Sequence, residues 1–295
     1  MIHLKGRKVA ITALAFSPDG ARLAAACYRG LVQLFDLHAA KLERAFVVGD
    51  GLTTSDGIFF LPQGDALLAY DWTRGARAGP TLRAVTLEGR SLGLRPTTTR
   101  AEVRRAAAAE GRAALAVAHL SSVVLYSLPD FAPLWRVAAP NSANALACTP
   151  DGRTVALGQE GGGVRLFREG GELPPLPTPR REVKALAVSP DGDGVATCGN
   201  THLRLWRLTR QPREVKHVQL GKTHFLDVAW HPSGSFLATA NGDGKVDFWD
   251  WATGERRESF DWGVGKVSCV VFDRAGDRAA CCSGAGDVVI WDVDM

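Results

Sequence analysis

The chain has 295 residues, 46% of them hydrophobic and 22% charged, with a formal net charge of +4 and a pI near 8.8. A charge this small excludes a polycation built to coat nucleic acid, and no apolar run approaches the roughly 18 residues a membrane helix needs. The length would suit two ordinary domains, but no Gly/Ser-rich or charged linker interrupts the pattern below, so one unit over 1–295 is predicted.

The chain opens on a short apolar and polar segment, residues 2–5, followed by a run at 9–16 marked by Ile11, Leu14 and Phe16. Lys5, Arg7 and Lys8 give that run the look of a secretion signal. Its length of about eight residues and its register with later runs predict a strand instead. The turn Ser17-Pro18-Asp19-Gly20 ends it, and two more strand-like runs follow, Arg22–Cys27 and Leu31–Asp36, then a more polar one at 41–48. A second unit carries the weaker turn Leu61-Pro62-Gln63-Gly64, and a third carries Ala108-Ala109-Glu110-Gly111. Residues 104–120 are alanine-rich and helical by propensity, yet Val123-Val124-Leu125-Tyr126 resembles a third strand and predicts a blade here too. The fourth unit turns at Thr149-Pro150-Asp151-Gly152, and its four prolines at 173–179 fall where an outer edge strand belongs. The fifth (Val183, Leu186, Val188), sixth (Phe225, Val228, Trp230) and seventh (Val267, Val270, Phe272) units turn at Ser189-Pro190-Asp191-Gly192, His231-Pro232-Ser233-Gly234 and Asp273-Arg274-Ala275-Gly276.

The closing glycines at 20, 64, 111, 152, 192, 234 and 276 stand 44, 47, 41, 40, 42 and 42 residues apart. A period near 40 to 45 with apolar residues at two-residue spacing is the pattern of a four-stranded propeller blade, not of a helical repeat. The third strands that end in Trp249-Asp250 and Trp291-Asp292, with Phe35-Asp36, Trp206-Arg207 and Phe167-Arg168 as variants, resemble the WD-repeat family over essentially the whole chain. The resemblance implies an all-β, seven-bladed propeller of four-stranded antiparallel blades, acting as a non-enzymatic scaffold for another protein.

The chain departs from that family in its polar core. Family blades commonly join a Gly-His pair, a turn Asp, a Ser/Thr and the Trp in a buried hydrogen-bonded tetrad. No Gly-His occurs here, and six residues before the strand-ending aromatic only the sixth blade has Asp (Asp243); others place Arg29, Leu120, Gly161, Asn200 and Ala285 there. Apolar packing should therefore dominate. Small residues one place before the turn-preceding position, Ala15, Ala106, Ala147, Ala187 and Ala229 against Phe59 and Val271, suit inner strands that converge on an axis. The seventh unit ends directly after its third strand, so residues 2–5 are predicted to pair as its outer strand and close the ring.

Chemistry is hard to find. Cys27, Cys148, Cys198, Cys269, Cys281 and Cys282 fall inside predicted strands and read as small core side chains of a reducing compartment, which predicts a cytoplasmic location. Cys281 and Cys282 are adjacent and should face opposite ways. His217, His224 and His231 are spaced by seven but belong to separate segments, too far apart for one metal. The glycines of 158–163 lead into a strand rather than a helix, so no phosphate cradle forms. No metal or cofactor is implied. Asp19, Asp151 and Asp191 read as turn formers.

The links before the first strand and between the second and third emerge on one face of such a ring. They carry Arg180, Arg181 and Lys184, then Lys222 and His224, Lys266, Arg7, Lys8 and Arg29, and finally Arg74 and Arg77: a basic arc, broken by Asp50, Asp56, Glu182 and Asp287. This arc is the expected partner-binding surface, for another protein or an acidic peptide. Nucleic acid fits less well, since Trp72 is the main aromatic residue among the basic ones. An enzyme or small-ligand sensor using the axial channel is the other alternative. Trp251 and Trp262 are expected to pack between blades.

Overall fold

The computed structural model describes residues 1–48, 54–72, 81–93, 103–109, 111–139, 143–159, 162–179 and 183–293. After β1 (Ile2–Leu4), the first blade is β2 (Ile11–Phe16), β3 (Arg22–Cys27), β4 (Leu31–Asp36) and β5 (Lys41–Val47). The second is β6 (Thr54–Phe60), β7 (Ala66–Trp72) and β8 (Thr81–Thr86); the third is β9 (Val103–Ala109), β10 (Ala114–His119), β11 (Ser122–Ser127) and β12 (Pro133–Ala138). The fourth is β13 (Ala143–Cys148), β14 (Thr154–Gln159), β15 (Val164–Arg168) and β16 (Gly171–Leu176); the fifth is β17 (Ala185–Val188), β18 (Gly194–Gly199), β19 (His202–Arg207) and β20 (Arg213–Gln219). The sixth is β21 (Phe225–Trp230), β22 (Phe236–Asn241), β23 (Lys245–Asp250) and β24 (Arg256–Asp261); the seventh is β25 (Val267–Phe272), β26 (Arg278–Ser283) and β27 (Val288–Asp292). The alanine-rich stretch is strand, as expected, because its side chains are needed between two sheets.

β1 pairs antiparallel with β27, Ile2 opposite Ile290 and Leu4 opposite Val288, so the chain's first strand completes its last blade. The second blade differs from the four-strand expectation: three strands are present among the described residues. In place of a fourth, Ser91 bridges Val85 and the Leu92 N–H bonds the Ala84 carbonyl at 2.9 Å.

The middle strands are apolar on both faces, and alternation sends successive residues to opposite neighbours. Leu23, Ala25 and Cys27 join Leu4, Cys269, Ala280, Cys282 and Ile290 between the seventh and first blades, whereas Ala24 and Ala26 join Ile58, Phe60 and Leu67 between the first and second. One such cluster fills every interface around the ring. Trp251 and Trp262 serve this packing: Trp251 sits edge-on to Trp230 at 4.8 Å, beneath the Arg207 guanidinium, and Trp262 stacks on Trp291 at 4.1 Å. Part of the polar tetrad survives as well, since Trp206 and Trp249 donate their indole N–H to Thr197 (3.3 Å) and Thr239 (3.0 Å).

The repeated turns work as their sequence implies. Asp19 Oδ1 accepts from Ser17 Oγ at 2.5 Å and from the Ala21 N–H at 3.0 Å, and the same bonds recur at Asp151 and Asp191. The Ser17 hydroxyl is the main reason the Asp19 carboxyl lies below its ordinary pKa. Gly20 closes the turn at φ +67°, a conformation costly for other residues, and its carbonyl accepts from Arg278 of the last blade at 2.6 Å. Arg168 and His231 reach the turns of their next blades alike, to the Gly192 and Gly276 carbonyls at 2.8 and 2.9 Å. In the third blade the turn closes one residue later than expected. The Arg112 N–H, not that of Gly111, bonds back to Ala109, and Ala113 takes the positive φ. Ala107 therefore stands level with Ala15, facing Ala116 as Ala15 faces Ala24, and Ala106 lies one step deeper.

Leu4 is 4% exposed within the seam cluster. Leu4→Ala should cost roughly 2–4 kcal/mol in denaturant unfolding. Removal of residues 1–6, which also bares the β27 edge, should lower the thermal midpoint further and promote association.

Candidate binding face and axial mouth

In the sixth and seventh blades the link between second and third strands abuts the link entering the next blade. A Cβ on Gly286 would lie 2.9 Å from the Val9 backbone, and one on Gly244 would lie 2.9 Å from the Gly265 carbonyl. These links share one face. Gln33, fully buried, fixes the entry to β2: its Oε1 accepts the Arg7 N–H at 2.5 Å and its Nε2 donates to the Arg7 carbonyl at 3.3 Å. A single 3-10 turn, Tyr28–Gly30, with Arg29 at φ 62°, leaves Tyr28 and Arg29 exposed.

Arg7, Lys8, Arg29, Lys184, Lys222, His224 and Lys266 are all exposed. Arg74, Arg77, Arg180 and Arg181 lie outside the described residues, as do Asp50, Glu182 and the side chains of Asp56 and Trp72. Lys184 and Lys266 come close enough to interact: partial loss of hydration, then the Lys266 charge, lowers the Lys184 pKa. Asp287 is exposed and accepts from Ser283 Oγ at 3.2 Å. The three spaced histidines separate as expected. His217 lies on β20 and meets His202 at 2.8 Å, His224 precedes β21, and His231 follows it.

Most inner strands are bulged near their start, where an extra residue such as Thr12, Asn144 or Ser268 breaks the ladder. The bulges surround an axial cavity of about 420 Å³ lined by Thr12, Arg105, Asn144, Lys184, Asp227 and Ser268. Below it Leu14, Ile58, Phe59, Leu146 and Val271 continue into a second chamber of about 320 Å³. Inner strands are also tied across blades at this level. Arg105 Nε donates to the Asn144 carbonyl at 2.6 Å, Ser268 Oγ to the Ile11 carbonyl at 3.2 Å, and the Val270 N–H to Asp227 Oδ2 at 3.1 Å. Sequence reasoning missed Arg105 and Asp227 because it looked to the links for polar groups. Their signal was charge inside an inner strand, as with Asp227 between Phe225 and Val228.

Burial raises the Asp227 pKa from 3.8 to about 6, against the Val270 and Val228 hydrogen bonds and the attraction of Lys184. Since the folded state keeps this proton to higher pH than the unfolded chain, its ionisation removes stability as pH rises through about 4 to 6. Asp227→Asn, which keeps an acceptor oxygen, should be more stable than wild type at pH 7.5 by roughly 1–3 kcal/mol at ~1.36 kcal/mol per pKa unit. That difference should vanish below pH 4 in thermal melts.

The profile "WD domain, G-beta repeat" matches residues 1–36 and 175–207, and that of the "Anaphase-promoting complex subunit 4 WD40 domain" matches 195–275. Telomerase protein component 1 of Mus musculus is 24% identical over 287 residues, 95% of this chain and 9% of that protein. The Rattus norvegicus protein of the same name is 26% identical over 289 residues, again 95% and 9%. Target of rapamycin complex subunit wat1 of Schizosaccharomyces pombe is 27% identical over 113 residues, 38% of this chain and 36% of that protein. This chain thus spans about a tenth of the telomerase relatives' length. The repeat matches, the seven sheets around one axis and the shared closing blade agree: the chain is a WD-repeat β-propeller.

Proposed function

We propose that this propeller is a non-enzymatic scaffold that docks a protein partner on the face carrying the basic arc and the axial mouth, and that the docked segment is acidic. What supports this reading is that Arg7, Lys8, Arg29, Lys184, Lys222, His224 and Lys266 are all exposed on links that enter first strands or join second to third strands, and that Lys184 and Arg105 line the axial cavity. Arg74, Arg77, Arg180 and Arg181 extend the arc by their place in the sequence. Lys184 and Lys266 repel one another and gain from an anion set between them. Arg105 and Lys184 sit at the cavity wall, where a carboxylate would lose part of its hydration and meet two cations, with Asp227 opposing the entry of a second acid. The relatives fit this reading in kind: one is named a telomerase protein component and another a subunit of the target of rapamycin complex, so both are parts of assemblies. A cytoplasmic location belongs to the same proposal and rests on the buried thiols of Cys27, Cys198, Cys269, Cys281 and Cys282.

The test is anisotropy of a labelled Glu/Asp-rich peptide, with a single-stranded DNA of equal charge beside it. Wild type should bind the peptide, and Lys184→Glu, Lys222→Glu and Lys266→Glu combined should weaken it at least tenfold, ~1.4 kcal/mol, without changing the thermal midpoint by more than a few degrees. Unchanged binding by the triple variant would dismiss this face. Tighter binding of the DNA would turn the reading toward nucleic acid.

A further inference from the structure

Three of the six cysteines, Cys27, Cys269 and Cys282, meet at the seam between the last blade and the first. Cys269 on β25 and Cys282 on β26 are direct partners in the antiparallel register, and their sulfurs touch at 2.7 Å with nothing between them. Facing residues of such a pair have Cα atoms about 4.5–5.5 Å apart, inside the roughly 4.4–6.8 Å window a disulfide requires. The neighbouring sulfurs are otherwise engaged. Cys281 points the other way, into the cluster between the sixth and seventh blades, and Cys27 Sγ receives the Gln33 Nε2–H at 3.3 Å. Cys269 also lines the axial cavity, with Cys282 directly behind it in the wall. Of the pair, Cys269 is therefore the residue that a small polar oxidant in the cavity meets first.

We propose that Cys269 and Cys282 form an oxidation site, in which a peroxide entering by the axial mouth reaches Cys269 and the pair closes as a cross-strand disulfide. The Cys269 thiolate attacks one peroxide oxygen, the O–O bond breaks, and a sulfenic acid and one water result. The Cys282 sulfur then attacks Cys269 Sγ, the S–O bond breaks and a second water leaves. Two thiols thus give up two electrons and two protons, and the peroxide is reduced to two waters. The Cys282 thiol and burial hold the Cys269 pKa well above its ordinary value, with Asp227 and Cys281 adding in the same direction, so the first step is slow and responds to sustained rather than brief oxidant. The product staples the inner strand of the blade that the N-terminal strand completes and removes a thiol from the cavity wall.

The full chain is treated with excess hydrogen peroxide, denatured in an alkylating reagent, digested with trypsin and read by mass spectrometry. Cleavage after Lys266, Arg274 and Arg278 places Cys269 in 267–274 and the Cys281-Cys282 pair in 279–295. The expected result is these two peptides joined, two hydrogens lighter than their sum, with fragmentation assigning the link to Cys282 and a reductant releasing it. Oxidised wild type should melt a few degrees above reduced protein. The link should survive Cys281→Ala and vanish in Cys282→Ala; if the latter fails to fold, fragmentation of the wild-type peptide decides alone. Recovery of both cysteines alkylated or overoxidised without a link, or a link made instead through Cys27 or Cys281, would overturn the assignment.

Discussion

The hydrophobic core of this protein exists only between blades. Leu23 and Ala24 are neighbours in sequence and both fully buried, yet they belong to different clusters on opposite faces of one sheet. A four-stranded sheet that is apolar on both faces cannot stand alone in water, so every blade needs a neighbour on each side. Only a closed ring gives the first blade and the last a partner as well. The seam between them is therefore the most demanding place in the molecule, and several independent devices converge there. Leu4 brings its side chain into the seam cluster, β1 covers the β27 edge, Arg278 crosses to the Gly20 carbonyl, and Ser268 crosses to the Ile11 carbonyl.

Ring closure also creates the axial mouth, where we propose that a partner docks. Inner strands that converge must carry small or re-aimed side chains, and the bulges at Thr12, Asn144 and Ser268 do the re-aiming. Polar groups that a flat sheet would scatter are thereby gathered around one mouth. The mouth is not simply basic. Asp227 lines it together with Lys184, and burial pushes the Asp227 carboxyl pKa up to about 6. Packing between the blades offsets that cost in stability.

Much of the ring was legible in the residues. Turn glycines at a steady interval, alternation of apolar residues and the strand-ending aromatics gave seven blades, and a seventh unit with three strands of its own pointed to residues 2–5 as the closing piece. The third blade shows where such reading fails. A glycine at 111 drew the turn one residue too early, because Ala113 adopts the left-handed conformation that glycine usually takes, so the level of Ala106 and Ala107 was set wrongly. Polar groups were sought in the links, and those of the cavity wall were not. Arg105 and Asp227 lie within strands that apolar pattern alone defines, and their convergence depends on closure across sequence distances of more than a hundred residues. The same holds for sulfur: adjacency in sequence drew attention to Cys281 and Cys282, whereas register pairs Cys282 with Cys269.

The claim on which everything rests is that β1 completes the last blade. Amide hydrogen exchange followed residue by residue on the intact chain measures it directly. If the ring is closed as described, the Ile2–Leu4 amides that bond to β27 exchange orders of magnitude more slowly than free peptide, and they open together with Val288–Asp292. Exchange of 2–4 at unprotected rates, while β25 and β26 stay protected, would contradict the closed ring.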